Sequence, residues 1–259
     1  MTLYHETHGE GPALLLLHGW GMHSGIWQGI ASRLANHHRL TLVDLPGHGH
    51  SPLLAGAYDL DGLVNGVAPI VREDSTLLGW SLGALVAMEL ARRYPQRVRR
   101  LILVGSTPQF YATDDWSAAM PAATLAEFAH ELQTDPDKTL RRFLALQVRG
   151  SHKASQVLRA LQGQFAQRQA ARPAALQGGL EILRQTNLRP HLQQIRCPVL
   201  LLHGDRDYLT PLPVAKALCR QLPAAKLRAI AGAGHAPFLS HPDDVVQDID
   251  AFTHVTTAS

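Results

Sequence analysis

The sequence is poor in cysteine, has no long apolar run and carries almost no excess charge of either sign. Its 259 residues include two cysteines, Cys197 and Cys219, which excludes a disulfide scaffold and a multi-cysteine zinc module and suits a reducing compartment. The longest early apolar run, Ala13 to Leu17, is far shorter than the about 20 residues of a membrane span. The polar, acid-containing start MTLYHETHGEGP is unlike a signal peptide. We therefore expect a soluble, cytoplasmic protein.

The sequence also lacks the usual motifs of metal-binding and nucleic-acid-binding proteins. The chain contains 15 histidines but no H-E-x-x-H, no C-x-x-C and no carboxylates at ligand spacing, so no metal site is expected. The 24 lysines and arginines barely exceed the 21 aspartates and glutamates, and no nucleic-acid motif accompanies them. We expect neither nucleic acid nor a membrane as a partner, and we expect a monomer.

Short apolar runs alternate with longer amphipathic stretches along much of the chain. This alternation predicts an α/β fold, in which a mainly parallel sheet is covered by helices on both faces. Helices are predicted at Leu82–Tyr94, Pro213–Leu222 and Asp243–Phe252. Strands are predicted at residues 13–17, 40–43, 76–79, 101–105, 199–204 and 227–232.

The alternation stops between about Pro108 and Arg189, where several helical segments and no clear strand are found. We interpret residues 108–189 as a helical cap inserted late in the chain, and residues 1–107 and 190–259 as the core. Residues 138–180 of the cap contain eight basic residues and no acidic residue. A run of charged residues is more often a solvated face, but a solvated face normally mixes signs. We therefore interpret this run as a surface for an acidic or phosphorylated partner. Its basic residues are Lys138, Arg141, Arg142, Arg149, Lys153, Arg159, Arg168 and Arg172.

The strongest motif is Gly79-Trp80-Ser81-Leu82-Gly83, a G-x-S-x-G that follows a predicted strand and opens a predicted helix. On such a strained strand-to-helix turn the serine is presented as a nucleophile, and the flanking glycines let the backbone pass closely. The positive end of the helix points to the place where an oxyanion develops. We therefore predict that Ser81 is a catalytic nucleophile.

A serine nucleophile needs a base and an acid that orients the base. Hydrolases with this turn supply them in the chain order Ser, Asp, His. Asp207 and His235 follow predicted strands in that order. Asp205 is an alternative candidate for the acid. We prefer Asp207 because it stands further out in the loop, whereas Asp205 is better placed to cap the turn.

Two further glycine-rich turns follow strands. His18-Gly19-Trp20-Gly21 is predicted to present the backbone N–H of Trp20 to a reacting carbonyl, paired with the N–H of Leu82. The turn DLPGHGHS at residues 44–51 lacks the spacing of a phosphate-binding loop and is interpreted as structural.

With these motifs in this order, the chain resembles the α/β-hydrolase superfamily over its whole length. The resemblance narrows to the pimeloyl-[acyl-carrier protein] methyl ester carboxylesterase family of biotin synthesis. It is carried by GWSLG, by HAPF followed by SHP, and most specifically by the cap segments RFLALQ at residues 142–147 and GGLEIL at residues 178–183.

The resemblance implies a reaction and a partner. Ser81, His235 and Asp207 would hydrolyse, without a cofactor, the methyl ester on a pimeloyl chain carried by acyl-carrier protein. The acidic carrier would dock on basic cap positions matched by Lys138, Arg142 and Arg159, with a further arginine replaced by Ser155 and Arg149 nearby. The acyl channel would be lined by Phe143, Leu144, Ala145, Leu146 and Gln147.

Three alternatives stay open at this point. One is a general short-chain esterase of the same fold, and another is a lyase or carbon–carbon bond hydrolase, because the fold alone does not decide the chemistry. The third is a non-catalytic ligand- or carrier-binding module. Haloalkane dehalogenases and epoxide hydrolases are disfavoured, because their nucleophile position holds an aspartate and this chain has Ser81.

Overall fold

A computed structural model of the chain describes residues 2–254, which form one seven-stranded sheet with flanking helices. The strands are β1 (His5–His8), β2 (Ala13–Leu17), β3 (Arg39–Val43), β4 (Ser75–Trp80), β5 (Val98–Val104), β6 (Val199–Gly204) and β7 (Ala225–Ile230). Their order across the sheet is β1-β3-β2-β4-β5-β6-β7. β1 is antiparallel to β3, and the other neighbouring strands are parallel. The predicted mainly parallel sheet is therefore confirmed.

Ten α-helices accompany these strands within residues 2–254. None of them combines the length and the apolar character needed to cross a bilayer. The helices are α1 (Gln28–Leu34), α2 (Leu60–Val67), α3 (Leu82–Arg93), α4 (Ala122–Thr134), α5 (Pro136–Val148), α6 (Ala154–Ala166), α7 (Pro173–Gln185), α8 (Leu212–Gln221), α9 (Pro237–Ser240) and α10 (Pro242–His254).

Both faces of the sheet are buried under helices. In β2, Leu15 and Leu17 belong to one apolar cluster together with residues of α2 and α3. Leu14 and Leu16 belong to a second cluster together with residues of α1 and α10. Because side chains alternate between the two faces of a strand, a strand buried on both faces must be apolar throughout. This is why the inner strands could be recognised in the sequence.

Besides the four-residue helix α9, the elements β1, α1 and α2 were not predicted. β1 has the sequence HETH and lies largely exposed at the edge of the sheet, so it has no apolar run. The two helices have only seven and eight residues, which is too short for a clear helical period. β5 begins three residues before the predicted strand because Arg99 and Arg100 interrupt its apolar run.

Helices α4 to α7 lie between β5 and β6, within the segment predicted as a cap. Their apolar sides join the core near the predicted site, because Phe128 of α4 and Phe143 of α5 belong to the same cluster as Trp20 and Leu82. α7 begins at Pro173, and the proline stands in the first turn, where its missing N–H leaves no hydrogen bond unmade. The division into core and cap domains at residues 108–189 stays a prediction.

Candidate active site

Ser81 lies between β4 and α3 in a backbone conformation that side chains rarely adopt. Its φ is 56° and its ψ is −117°, a strained region that costs on the order of 1–3 kcal/mol and persists only where the surroundings enforce it. The N–H of Ser81 donates to the carbonyl of Val104 on β5 at 3.1 Å, and its own carbonyl accepts from the N–H of Ala84 at 2.9 Å. The turn is therefore held by both neighbouring elements.

The two glycines of the motif are required by close contacts. A Cβ on Gly79 would lie 2.4 Å from the carbonyl oxygen of Gly83. A Cβ on Gly83 would lie 2.4 Å from the carbonyl oxygen of Leu17 and 2.6 Å from that of His18. Only glycine allows α3 to begin this close to the end of β2.

We expect Gly83→Ala to lower the free energy of unfolding by about 3 kcal/mol, because two backbone carbonyls must move to admit the methyl group. Gly163 in α6 is the matched control, since a Cβ there would meet no atom within 4 Å. Gly163→Ala should raise stability by about 0.5–1 kcal/mol. Urea unfolding of both variants measures the difference, and equal stability of the two would contradict the contact argument.

The turn that contains His18 to Gly21 lies against the serine. A Cβ on Gly19 would lie 3.2 Å from the Cβ of Ser81. Among residues 2–254, the backbone N–H groups of Trp20 and Leu82 have no hydrogen-bond acceptor. One of these donors is at the N-terminus of α3 and the other is in the neighbouring turn, so both are free to bind an anionic oxygen.

His235 lies in the loop between β7 and α9 and is fully buried. Its backbone N–H donates to the carbonyl of Gln147 at 3.0 Å, and its carbonyl accepts from Nε1 of Trp80 at 2.9 Å. A Cβ on Gly105 would lie 3.0 Å from Nδ1 of the imidazole. Because Trp80 directly precedes Ser81, these contacts hold the histidine loop beside the serine turn.

The imidazole of His235 is bonded to Asp207 rather than to Asp205. Its Nδ1 lies 2.8 Å from Oδ2 of Asp207, and both side chains are fully buried. Asp205 instead accepts the N–H of Gly232 at 2.7 Å. Asp205 thus caps the turn, and Asp207 is the carboxylate in contact with the histidine.

Asp207 is charged in spite of its burial. Burial raises the pKa of the carboxyl, but the charge and hydrogen bond of His235, with His203 and the N–H of Thr210, outweigh it and hold the pKa below its usual range. The second oxygen, Oδ1, accepts the N–H groups of Leu209 and Thr210, each at 2.9 Å. Because a carboxylate only accepts, Nδ1 of His235 carries the hydrogen and Nε2 is the basic nitrogen.

Nε2 of His235 is buried and has no hydrogen-bond partner in the part of the chain that the structure describes. Hydrogen bonds between catalytic groups are often long before substrate binds. The arrangement has the parts that covalent acyl transfer requires: a serine on a strained turn, an imidazole with an unpaired nitrogen, and a buried carboxylate that orients it.

The predicted acyl-channel residues lie on α5 and differ in exposure. Phe143, Leu144 and Gln147 are buried, Leu146 is half-buried, and Ala145 is exposed. Positions 143, 144 and 147 share one face of the helix, which is the face turned to the core. Ala145 is the one member of the predicted set that the structure places away from this face.

Residues 138–180 contain no acidic residue, but acidic residues of α4 pack against this stretch in the folded protein. Arg142 pairs with Glu127 at 3.0 Å and with Glu131 at 2.5 Å, both on α4. Its guanidinium also lies 4.8 Å from the centre of the Phe128 ring. The prediction of an all-basic patch is therefore wrong at Arg142, because the charge of this residue is largely balanced by two glutamates of the cap.

Two more basic residues are engaged within the protein. Arg168 is paired with the buried Asp44 at 3.1 Å and with Glu6 at 2.7 Å. The ammonium group of Lys153 donates to the carbonyl of Ser240 at 2.7 Å. The exposed basic residues of the stretch are Lys138, Arg141, Arg149, Lys153, Arg159 and Arg172.

The turn DLPGHGHS has internal partners, in keeping with a structural role. His18 joins it to the preceding turn, because Nδ1 donates to the carbonyl of Gly19 at 2.8 Å and Nε2 accepts the N–H of Leu45 at 2.9 Å. Burial lowers the pKa of His18 to about 3, so its ring is neutral.

Within residues 2–254, no group of three or more histidine, cysteine or acidic side chains could hold a metal ion.

Two buried polar residues beside Asp207 were not identified from the sequence. The hydroxyl of Thr210 donates to Oδ2 of Asp207 at 2.7 Å, and Nε2 of His203 lies 2.5 Å from the carbonyl oxygen of Thr210. Their only signal in the sequence is position, since His203 lies near the end of β6 and Thr210 precedes Pro211 in the following loop.

Comparisons with known proteins show the family to which the chain belongs. The alpha/beta hydrolase fold family matches residues 12–242. The chain is 44% identical over 250 residues to a pimeloyl-[acyl-carrier protein] methyl ester esterase from Nitrosomonas europaea, covering 96% of this chain and 99% of that protein. It is 43% identical to a protein of the same name from Aeromonas salmonicida, covering 97% and 99%.

Solved structures share the fold. An esterase from Exiguobacterium antarcticum superposes with a TM-score of 0.87 at 22% identity, over 96% of this chain and 94% of that chain. A hydrolase from Pseudomonas aeruginosa superposes with a TM-score of 0.79 at 26% identity, over 98% and 94%. At such identities the superposition with the esterase establishes the fold and no more.

Proposed function

The chain belongs to the family of pimeloyl-[acyl-carrier protein] methyl ester esterases within the α/β hydrolases, and we propose that it cleaves the methyl ester of pimeloyl-[acyl-carrier protein] in biotin synthesis. The products are methanol and a free carboxyl at the far end of the carrier-bound chain. One observation carries the proposal: the buried His235–Asp207 pair lies beside a strained Ser81 in a chain that aligns over nearly its whole length with esterases of this name.

In the proposed mechanism, Oγ of Ser81 attacks the ester carbonyl while Nε2 of His235 takes the hydroxyl proton. The tetrahedral intermediate collapses, the bond to the methoxy oxygen breaks, and His235 returns the proton so that methanol leaves. Water then attacks the acyl-enzyme by the same route, which frees the carboxyl product and restores Ser81. Asp207 remains ionised and stabilises the imidazolium, and no cofactor takes part.

The oxyanion of each tetrahedral intermediate is assigned to the N–H groups of Trp20 and Leu82. Their lack of another acceptor among residues 2–254 supports the assignment. Both donors are backbone groups, one in the turn after β2 and one at the first residue of α3, and donors already in place need no reorganisation during the reaction. The loss of one such donor typically costs about 100- to 1,000-fold in turnover.

The acyl chain is assigned to the inner face of α5. Phe143 packs edge-on against the ring of Trp20, with 4.8 Å between the ring centroids. The next residue, Leu144, is also buried. Both polar atoms of the Gln147 side chain are buried and have no hydrogen-bond partner in the described residues. The backbone carbonyl of Gln147 accepts from the backbone N–H of His235. The hydrogen bond between the backbone N–H of His235 and the carbonyl of Gln147 supports the assignment, because it joins this segment to the histidine loop.

The partner in this proposal is acyl-carrier protein, bound by the exposed basic residues of the cap. Lys138, Arg149 and Arg159 are exposed and carry positive charge toward solvent, while Arg142 contributes less because Glu127 and Glu131 balance it. Long-range attraction of this kind steers an acidic partner to the mouth of a site. We further propose that the enzyme acts as a monomer in the cytoplasm, where its two free thiols stay reduced.

The test of the proposed function compares two substrates. Purified protein is given pimeloyl-[acyl-carrier protein] methyl ester and, separately, a small butyrate ester, and methanol or butyrate release is followed. We expect a much higher kcat/KM for the carrier-bound ester. Cleavage of the small ester alone would identify a general short-chain esterase, and cleavage of neither would identify a binding module or an enzyme of another class.

Charge reversal at Arg159 tests the carrier surface. We expect Arg159→Glu to raise KM for the carrier-bound ester by about 5- to 50-fold, and to leave kcat/KM for the butyrate ester unchanged, because only the carrier meets the altered charge. Arg39→Glu is the matched control, since Arg39 is exposed at the start of β3, at the opposite end of the sheet from the site. An equal effect of both variants would contradict a local docking role.

A further inference from the structure

We propose that Thr210 is a positioning residue for this reaction: its hydroxyl shares Oδ2 of Asp207 with His235 and thereby sets how strongly the carboxylate holds the imidazole. The inference rests on the proposed function, in which Ser81, His235 and Asp207 act together. It adds a residue outside that trio and a measurable consequence of its hydroxyl.

The shared oxygen is defined by two short contacts. Oδ2 of Asp207 accepts from Oγ1 of Thr210 at 2.7 Å and from Nδ1 of His235 at 2.8 Å. The two donors lie 3.5 Å apart, so they approach the same oxygen side by side. Thr210 is 1% exposed, so water does not replace its hydroxyl at this position.

The direction of the threonine hydrogen bond follows from its neighbours. Nε2 of His203 lies 2.5 Å from the carbonyl oxygen of Thr210, which can only accept, so this nitrogen carries a hydrogen. Nδ1 of His235 carries a hydrogen for the same reason, because it faces a carboxylate. Neither nitrogen can accept from Oγ1, and the threonine hydroxyl therefore donates to Asp207. The contact with His203 also fixes the backbone of Thr210.

Two donors on one carboxylate oxygen divide its negative charge between them. Without the threonine hydroxyl, more charge on Oδ2 faces Nδ1 of His235, which stabilises the protonated imidazolium. The base then needs a higher pH to become neutral, so the acid limb of the pH profile should move upward. A residue that only filled space would not move it.

The other titratable and charged groups around this pair remain in place when Thr210 is changed. His203 on β6 lies 3.6 Å from Oδ2 of Asp207, and burial lowers its pKa. The guanidinium of Arg149, at the end of α5, lies 4.1 Å from the centre of the Tyr208 ring. In the adjoining loops, Nε of Arg206 lies 3.9 Å from Oδ1 of Asp205, and the ring of His152 lies against Gly232.

The experiment uses Thr210→Val, which keeps the shape of the side chain and removes the hydroxyl. We expect the acid limb of kcat/KM for the butyrate ester to move up by about 0.5–1 pH unit, because the carboxylate of Asp207, relieved of one donor, interacts more strongly with the protonated imidazole. Thr210→Ser restores the hydroxyl and should restore the wild-type limb. Thr107→Val is the matched control, because Thr107 is also buried and its hydroxyl donates to the backbone carbonyl of Gln109.

A second readout does not depend on turnover. The imidazole of His235 is titrated by NMR in protein with 13C-labelled histidine, and its signal is assigned by its loss in His235→Gln. An upward shift of the His235 pKa in Thr210→Val, and not in Thr210→Ser or Thr107→Val, supports the proposal. An unchanged pKa in Thr210→Val, or an equal shift in all three variants, overturns it. If the titration shifts while no Ser81-dependent esterase activity exists, the positioning inference holds and the proposed function fails.

Discussion

Replacing Ser81 with alanine is expected to lower kcat/KM for the carrier-bound methyl ester by about 10⁴- to 10⁶-fold, because the atom that forms the acyl-enzyme is removed. The N–H groups of Trp20 and Leu82 and the imidazole of His235 stay in place, so a small residual rate above that in water is expected. The variant should still bind the carrier, because the exposed basic residues of the cap are unchanged.

The control for this variant is Ser75→Ala. Ser75 is also buried but lies at the opposite end of β4, where its hydroxyl donates to the carbonyl of Arg72 at 2.7 Å. Its replacement should lower the melting temperature slightly and leave kcat/KM unchanged. Single-turnover assays of both variants make the comparison. Retention of most activity in Ser81→Ala would rule out the covalent mechanism, and loss of carrier binding would show that docking and chemistry are not separate.

Asp207→Asn is expected to lower kcat by about 10⁴-fold, because the amide reverses the hydrogen bond to His235. Oδ1 of Asp207 accepts two backbone N–H groups, so the oxygen of an asparagine will occupy that position. Its NH₂ group then faces Nδ1 of His235 and donates to it. The imidazole hydrogen is forced onto Nε2, and the nitrogen that should take the proton of Ser81 no longer can.

Asp205→Asn provides the comparison that decides which carboxylate orients the base. An asparagine oxygen can still accept the N–H of Gly232, so the turn should persist. We expect kcat to stay within about a factor of two of the wild type, as for a substitution away from buried networks. Both variants are assayed with the butyrate ester over a range of pH. The opposite pattern of losses would assign the role to Asp205.

The inner strands and the turn that holds the candidate nucleophile could be predicted because they depend on local patterns. A strand buried on both faces must be apolar throughout, and a serine on a sharp turn between strand and helix needs glycine on both sides. β1 escaped prediction because its pairing with β3 comes from backbone hydrogen bonds, which leave no apolar pattern in HETH. Polar edge strands are recognisable only after their partner strand is known.

The candidate site could be predicted to the level of loops but not to the level of atoms. Parallel strands bring their carboxyl ends to one edge, so Ser81, Asp207 and His235 were expected there. The choice between Asp205 and Asp207 depends on distances of about 3 Å, which are set by the packing of the loop against Gly232 and Thr210. The only signal of Thr210 in the sequence was its position before Pro211, and a threonine before a proline is too common in loops to indicate a role.

The sequence by itself determined the fold class, the candidate nucleophile and the chain order of the three candidate catalytic residues, because each follows from short-range patterns of polarity and of glycine. Only the tertiary structure decided which charges remain free and which hydrogen bonds form. Arg142 belongs to an acid-free stretch of sequence, yet α4 folds back and places Glu127 and Glu131 against it. Electrostatic interactions act through space, so their balance is settled only when elements distant in the chain pack together.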